Sequence, residues 1–305
     1  MSKSKTFHLD TASLELPRGA YAGGNRHILS RGDRPVAAFT QGKFRPYIHP
    51  VWTPDGIVVT AESPVDHPHH SGIWCAADHV ANLHDGPDGT ERYNYCFYVN
   101  EVFQGRAPGS IRMTGIKLLA ASHDQATVRQ KMQWMSPCEW GAPDGRIVML
   151  ETRTTTISCV DKAYVFDISS ALQAGDQPVE IGPTRHAYFN ARVCDALALS
   201  DNCLPIDDRG RTGAAAIGNH DLGWVDFCGD VGNGTIAGLA TVPPLQTTQD
   251  WFLADWGVAS VGPFRHSKSC VTDDGTLNLQ CRFIAHDGLL HKTQIDCHQS
   301  NFSPA

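Results

Sequence analysis

The richest group of residues able to do chemistry lies in segment 64–74, which reads PVDHPHHSGIW. It places His67, His69 and His70 close together, directly after Asp66. Imidazole side chains transfer protons near neutral pH and also bind divalent metal ions. The spacing predicts a polar site, and three kinds of site fit it.

A metal site would need three or four converging nitrogen and oxygen ligands. His67 and His69 would supply two of them to a divalent ion, and Asp66 would hold a second ring nitrogen. An acid–base site would instead place His69 and His70, as candidate catalytic residues, within reach of a ligand oxygen. In the third interpretation the segment is a polar loop whose imidazoles satisfy backbone groups. The residues alone leave all three open.

Local geometry limits how these side chains can meet. In an extended chain, His67 and His69 point to one side and His70 points to the other. Pro68 cannot donate to a β-ladder, so we expect the segment at an edge, a bulge or a loop. A bulge there would turn His70 toward the other two histidines.

The segment 45–50, RPYIHP, precedes this group by a short stretch. Its Arg45, Tyr47 and His49 are candidate substrate-binding residues, because they offer a cation, a hydroxyl and an imidazole in one strand-like run.

A second histidine stands in IGPTRHAYFNARV, at 181–193. His186 is a candidate catalytic residue that would alternate with Tyr188 and Asn190 on one strand face, with Arg185 on the other. A single strand histidine is often only structural. The polar neighbours make Arg185 and Asn190 candidate substrate-binding residues here.

Two tryptophans, Trp224 and Trp256, stand near carboxylates later in the chain. An indole face can pack against the apolar face of a sugar ring, so both are candidate substrate-binding residues. For either one taken alone, a core side chain is the better explanation.

The strand-like run 150–158 contains Glu151, a candidate catalytic carboxylate, and Arg153, a candidate substrate-binding residue. A Glu–Arg pair on one strand face is more often a structural ion pair. Both faces of this run are polar, which predicts that one of them lines a solvated cleft.

The elements that must position these residues are strands. Runs such as 126–135, 146–160 and 163–172 are rich in β-branched and aromatic residues, and several alternate with period two. Turn signals such as PDG at 54–56 and at 143–145 separate them. The pattern predicts an all-β chain with little helix, an antiparallel sandwich or barrel, forming a single domain over 1–305.

Composition excludes some classes of partner. The chain has 305 residues and a formal net charge of −7, without a run of Lys or Arg, which argues against nucleic acid and anionic membranes. It has no apolar run long enough to span a bilayer. A small-molecule sugar or glycoside is the expected partner, and a homodimer through an edge strand is one expectation.

The expected compartment and cofactor rest on motifs that the sequence lacks. The ten cysteines are scattered without a CxxC pair, and residues 1–16 show no apolar core of a signal peptide. We therefore expect reduced cysteines and a cytoplasmic location. No GxGxxG follows a strand, so no nucleotide cofactor is expected.

Taken in order, several segments resemble the signature of a bacterial family labelled PmoA-like, after a methane-oxygenase subunit. They are RPYIHPVWTPDGIVVT, DHPHHSGIWCA, LETRTTTI, IGPTRHAYFNARV, GWVDFCGDVGNGTIAGLA, DWFLADWGVASVGPF and LNLQCRFIAHDG. The methane label does not suit a chain without membrane spans. The resemblance implies a fold more firmly than a reaction, and weakly implies action together with sugar dehydrogenases. Where this chain has Arg185–Ala187, the family usually has Lys-Glu-Gly. Where this chain has Trp251–Phe252, the family usually has Trp-His. The substrate or the chemistry can therefore differ from that of a typical member.

More distantly, TRHAYFN resembles the NHTYFNL strand of aldose 1-epimerases. That resemblance implies a galactose mutarotase-like β-supersandwich, with His186 as general acid and Arg185 in place of the motif's Asn. The second histidine and the glutamate base of those enzymes have no assigned counterpart here.

Together these observations predict a carbohydrate-active enzyme, a hydrolase or lyase, that cleaves a glycoside or an oxidised keto sugar by histidine acid–base chemistry. An aldose epimerase or mutarotase and a non-catalytic sugar-binding module are the two alternatives.

Overall fold

The structure is a computed structural model that describes residues 6–13, 22–139, 141–198, 203–218, 222–245, 249–271 and 275–302. Of the N-terminal stretch 1–16, residues 1–5 and 14–16 lie outside the described residues. All ten cysteines are described, and each is a free thiol. In the described ranges, no helix is long and apolar enough to cross a membrane.

Strands dominate the described chain. In chain order they are β1 (Phe7–Ser13), β2 (Ala22–Arg31), β3 (Arg34–Gly42), β4 (Pro46–Val51), β5 (Ile73–Cys75), β6 (Val80–Gly86), β7 (Gly89–Cys96), β8 (Ala107–Pro108), β9 (Ser110–Ala121), β10 (Gln125–Met135), β11 (Ile147–Val160), β12 (Ala163–Ala174), β13 (Val179–Ile181), β14 (Phe189–Arg192), β15 (Ile206–Asp207), β16 (Val225–Asp230), β17 (Ile236–Val242), β18 (Asp250–Ala254), β19 (Val258–Gly262), β20 (Ser269–Val271) and β21 (Thr276–Asp287). The helices of the described residues are α1 (Asp195–Ala198), α2 (Ala214–Ile217) and α3 (Lys292–Ser300).

The strands form three sheets. The first has the order β1-β2-β3-β4-β5-β14-β19-β18, and the second has the order β15-β16-β17-β21-β12-β11-β10-β9. Neighbouring strands in both are antiparallel. The third sheet, β20-β13-β6-β7-β8, contains one parallel pair, β7 with β8. The prediction of an all-β, antiparallel sandwich with little helix is confirmed.

The main core lies between the two large sheets. Phe39 and Ile73 from the first sheet pack in one cluster with Phe166 and Phe283 from the second. Burial of each such side chain contributes about 1.5–3 kcal/mol, which makes this interface the chief source of stability.

Successive side chains of β12 point to opposite faces of the sheet, so the strand contributes to two apolar clusters. Tyr164, Phe166 and Ile168 face the main core, whereas Val165 faces a smaller cluster that also contains Ile295 of α3. The second sheet is therefore covered on part of its outer face by α3.

The two polar faces of 150–158 differ in burial: the face with Thr152, Thr154 and Thr156 is partly exposed, and the opposite face does not line a solvated cleft. Glu151, Arg153 and Thr155 are all buried, on the same face of β11 as the core residue Ile157. Because the carboxylate and the guanidinium bind each other, this polar face can lie in the interior without unpaired charge.

Candidate functional site

Connections between strands, rather than the strands themselves, build the candidate site. The histidine-rich segment 64–70 joins β4 to β5, and Asp78 lies between β5 and β6. Tyr98 follows β7, His186 precedes β14, and Trp256 joins β18 to β19. We call the group formed by His67, His69, His70, Asp78, Tyr98 and His186 the histidine site.

The segment 64–70 is a loop, one of the three conformations expected from Pro68. The backbone amide of His67 donates to the Pro64 carbonyl at 3.1 Å, and that of His70 donates to the His67 carbonyl at 2.9 Å. These turns bring the three rings together. The His67 and His70 rings stack with centroids 4.9 Å apart, and the His69 ring meets His70 edge-on at 4.4 Å.

Two residues hold this loop against the first sheet. Gly72 has φ of 57°, and a Cβ there would lie 2.0 Å from the Ile48 carbonyl oxygen, so only glycine fits. The buried Arg45 guanidinium donates to the His69 carbonyl at 2.7 Å and to the Phe97 carbonyl at 3.0 Å. Arg45 therefore positions His69, and its role as a substrate-binding residue stays a prediction.

Tyr98 joins the loop to His186. Its hydroxyl oxygen lies 3.2 Å from His70 Nε2, and its ring stacks on the His186 ring with centroids 3.9 Å apart. The His186 ring also meets Phe252 edge-on at 5.0 Å. Two segments more than a hundred residues apart in the chain thus contribute to one group of aromatic and imidazole rings.

Asp78 orients His186. Its Oδ2 lies 3.0 Å from His186 Nδ1, and the same fully buried carboxylate accepts the backbone amides of Arg185 and His186. Because a carboxylate accepts hydrogen bonds, Nδ1 carries the proton in the neutral ring. In this tautomer Nε2 of His186 is the ring nitrogen that can accept a proton.

Sequence analysis missed Asp78 and Tyr98. The only signal for Asp78 was a single acidic residue within the apolar run 73–83. Tyr98 stands in a strand-like run, CFYV, in which nothing distinguishes it from a core side chain. Both residues matter through contacts far away in the chain, which a pattern in one segment does not encode.

Burial favours the neutral form of the His69, His70 and His186 rings. It lowers the pKa of His69 to about 3, with the Arg45 charge adding to the effect, and it lowers the pKa of His70 further. Burial also lowers the pKa of His186, although Asp78 opposes that shift. The rings of His69 and His70 therefore resist protonation, whereas His186 has a carboxylate that stabilises its charged form.

Two cations stand beside His186. The Arg185 and Arg265 guanidinium carbons lie 5.9 and 5.4 Å from the centre of the Phe252 ring, and Arg265 donates to the Arg185 carbonyl. Both positive charges contribute to lowering the His186 pKa. The role of Arg185 as a substrate-binding residue stays a prediction.

His67 and Trp256 pack on each other at the edge of the site. Their rings stack with centroids 4.0 Å apart, and the Arg192 guanidinium lies 5.0 Å from the centre of the indole ring. The Asp66 carboxylate contacts both residues. Its Oδ2 lies 2.9 Å from His67 Nδ1, and its Oδ1 accepts a hydrogen bond from the Arg192 guanidinium at 3.0 Å. One face of the Trp256 indole is thus covered by an imidazole rather than open to a sugar.

Tyr47 and His49 belong to an adjoining polar group centred on Glu62, which sequence analysis missed. The Tyr47 hydroxyl donates to Glu62 at 2.5 Å, and Arg26 donates to the same oxygen at 2.6 Å. His49 Nε2 lies 3.9 Å from the other Glu62 oxygen, and burial lowers the pKa of His49 to about 3.

A small cavity lies between this group and the histidine site. Its volume is about 20 Å³, enough for one water molecule, and Tyr47, His69, Ser71 and Trp74 line it together with Arg45. Arg45 and Tyr47 of segment 45–50 therefore line the same cavity as His69 of the histidine-rich segment 64–70.

Three predicted residues bind other partners in the interior. Glu151 accepts hydrogen bonds from Arg153 at 2.8 Å, Trp134 at 2.9 Å and Ser170 at 2.8 Å. Asn190 donates to the backbone carbonyls of Trp74 and Tyr188. These bonds fix Glu151, Arg153 and Asn190 within the fold.

Trp224 also lies elsewhere. It packs with Ile284 and Ile295 beneath α3, and its indole nitrogen donates to Asp296 at 2.9 Å. The structure thus supports the core interpretation of this tryptophan, since the histidine site is formed by other elements.

Among the described residues, the ligand atoms that lie closest together for a metal ion are not those of segment 64–70. Three ligand atoms within 4.8 Å of one another come from Asp226, Cys228 and His286, a group on the second sheet. His67 and His69, with ring centroids 5.8 Å apart, do not form such a group with a third described residue. A divalent ion near them stays a prediction.

The fold and the site define an all-β sandwich protein with a buried aspartate–histidine pair among neutral histidines. The chain belongs to the family described as Family of unknown function (DUF6807), which matches residues 28–299. This match does not show the PmoA-like family that the sequence motifs resemble. No curated protein matches the chain.

Two solved structures share a distant likeness. One is a GH36 α-galactosidase from Geobacillus stearothermophilus in complex with raffinose, at 9% identity and a TM-score of 0.41; the likeness covers 92% of this chain and 41% of that one. The other is an aldose epimerase homologue from C. elegans, at 9% identity and a TM-score of 0.37, covering 92% of this chain and 100% of that one. At such scores the likeness carries no argument about chemistry, so the function is argued from the site alone.

Proposed function

We propose that this chain is a carbohydrate-active enzyme that cleaves a glycoside or an oxidised keto sugar, with His186 as the acid–base residue. The observation that carries the proposal is the Asp78–His186 pair, in which Asp78 accepts the Nδ1 proton, so that Nε2 would be the nitrogen that exchanges a proton with a ligand. A base oriented by a carboxylate is the arrangement that proton transfer requires.

The electrostatics of the pair support this role. Burial keeps His186 neutral, so it can accept a proton at pH 7, and Asp78 stabilises the imidazolium that results. Well-placed acid–base groups contribute about 10²–10⁴ in rate. His186 can later return the proton to a leaving oxygen.

The reaction can be written for a keto glycoside. His186 takes the proton from the carbon next to the carbonyl, and the electron pair of that bond forms the enolate. The enolate then expels the glycosidic oxygen from the neighbouring carbon, which leaves an enone, and the protonated imidazole returns its proton to the leaving alkoxide. Arg185 and Arg265, which lie beside His186, would stabilise the enolate charge.

The surrounding groups favour a ligand rich in hydroxyls. His69 and Tyr47 line the small cavity, where one hydroxyl group of the ligand would take the place of a water molecule. A divalent ion near His67 and His69, a homodimer and a cytoplasmic location stay predictions from the sequence.

Proton NMR of the protein with a panel of glycosides, keto glycosides and free aldoses tests the proposal. We expect new reducing-end or enone signals with the wild type and with the His8→Gln variant, a control at an exposed histidine on β1. The His186→Gln variant should lose this turnover while keeping its thermal unfolding midpoint.

Other outcomes contradict the proposal in different ways. Exchange between anomers without bond cleavage would identify an aldose epimerase or mutarotase. Sugar binding without turnover would identify a binding module. Full activity of the His186→Gln variant would remove His186 from the mechanism.

A further inference from the structure

A second cluster of chemically active residues lies on the outer face of the second sheet. Across β16, β17 and β21, Cys228 pairs with Gly238, and Gly238 pairs with His286. These three positions form one row on the sheet, and Asp226 lies two residues along β16 on the same face. The core-facing neighbours Phe227 and Ala285 point the other way.

Gly238 makes the meeting of these side chains possible. A Cβ at this position would lie 2.5 Å from His286 Nε2 and 2.9 Å from Cys228 Cβ. Any larger residue would fill the gap in the middle strand. Because glycine has no Cβ, the His286 ring lies over β17 and reaches the side chains of β16.

The distances suit a metal ion. One ligand atom from each of Asp226, Cys228 and His286 lies within 4.8 Å of the other two, and His286 Nε2 lies 3.2 Å from Asp226 Oδ1. Around a tetrahedral zinc ion, ligand atoms stand roughly 3.3–3.8 Å apart. A small movement of the thiol would complete that spacing.

A hydrogen bond of the other ring nitrogen orients the His286 imidazole. Its Nδ1 lies 2.8 Å from the Gly288 carbonyl oxygen, to which it must donate. This bond directs Nε2 toward the Asp226 carboxylate, on the side of the ring where Cys228 also lies. Metal-binding histidines commonly donate their other ring nitrogen to a backbone carbonyl in this way.

We propose that Asp226, Cys228 and His286 bind a divalent transition-metal ion, with zinc as the ion that fits best, and that this ion ties β16 to β21. The mixed oxygen, sulfur and nitrogen ligands select against magnesium and calcium. The fourth position would be taken by water. The site is separate from the histidine site and adds to stability, since a metal bound only by the folded chain stabilises the fold.

The competing explanation is an ion pair between a protonated His286 and Asp226. Burial alone would lower the pKa of His286, but Asp226 raises it above its ordinary value. An ion pair needs neither the Cys228 thiol nor a metal, so the two explanations predict different behaviour of that thiol.

Metal analysis of tag-free protein, grown with zinc and dialysed, tests the proposal together with cobalt substitution. We expect one equivalent of zinc, and a thiolate-to-cobalt charge-transfer band when the metal-free protein takes up Co²⁺. Cys228→Ser and Gly238→Ala should weaken metal binding at least tenfold. Cys138→Ser, at an exposed cysteine, is the control and should bind as the wild type does.

Two results would overturn the site. One is wild-type protein that takes up no stoichiometric zinc or cobalt and shows no shift of its unfolding midpoint when zinc is added. The other is cobalt uptake without a thiolate band, or with unchanged affinity in Cys228→Ser. The wild-type measurements decide the question even if a variant fails to fold.

Discussion

Asp78 and His186 form a buried carboxylate–imidazole pair, with Asp78 Oδ2 3.0 Å from His186 Nδ1. The pair lies against Tyr98, whose hydroxyl contacts His70, so the orientation of His186 is coupled to the histidine loop. If the site is catalytic, Asp78 acts as a positioning residue through His186.

The Asp78→Asn variant tests that role. An asparagine amide can donate to His186 Nδ1, which places the ring proton on Nε2 and removes the base. We expect turnover to fall on the order of 10²-fold or more. Loss of the carboxylate also removes the contribution that raises the His186 pKa, so the acidic limb of any residual pH–rate profile should move to lower pH.

Steady-state kinetics across pH, with Asp10→Asn on the exposed β1 as control, provides the measurement. An unchanged kcat with only a lower unfolding temperature would show that Asp78 is purely structural.

Stability should depend on pH through the buried histidines. Burial lowers the pKa of His69 to about 3 and lowers that of His70 as well, whereas an unfolded histidine has a pKa of about 6.5. Below about pH 6.5 the unfolded chain binds more protons than the folded chain, so the free energy of unfolding falls as pH drops toward about 3. The slope should be up to about 1.4 kcal/mol per pH unit for each such histidine.

Urea unfolding at about pH 7.5 and about pH 5 measures this slope. His69→Gln should reduce it, and His8→Gln, at an exposed position, should leave it as in the wild type. Equal slopes in all three proteins would mean that His69 is not held neutral by the fold.

Part of this site was predictable from the sequence. The density of imidazoles in 64–70 and the polar neighbours of His186 indicated both segments, and Pro68 indicated a loop. Asp78 and Tyr98 could not be found in this way, because their importance comes from contacts with residues distant in the chain.

Prediction of strand burial from the sequence has the same limit. Alternation in 163–172 predicted a strand correctly, since Tyr164 and Phe166 face the core. Alternation in 150–158 did not indicate which polar face is buried, because a pattern of polar residues does not reveal that Glu151 and Arg153 bind each other in the interior.

We therefore expect Glu151 to contribute to the stability of the fold. Breaking a buried ion pair by removing one charge leaves the other unpaired, so Glu151→Gln should lower the free energy of unfolding by about 3–5 kcal/mol. Chemical denaturation measures the loss. Unchanged stability with lost turnover would restore the catalytic role predicted from the sequence.

Gly72→Ala should disrupt the histidine loop. The positive φ strains an alanine by about 1–3 kcal/mol, and its Cβ would also clash with the Ile48 carbonyl. Gly56→Ala is a matched control, because Gly56 has φ of 91° but open space around it. Thermal unfolding should show a larger loss at position 72; equal losses would mean that the close approach to β4 has no importance.

The crystal structure of the His186→Gln variant, soaked with a sugar that the wild type converts, tests the shared site most directly. We predict sugar oxygens within about 3 Å of both the Gln side chain at position 186 and the His69 ring. A sugar bound instead beneath α3 beside Trp224, with the histidine site occupied only by water, would contradict the account.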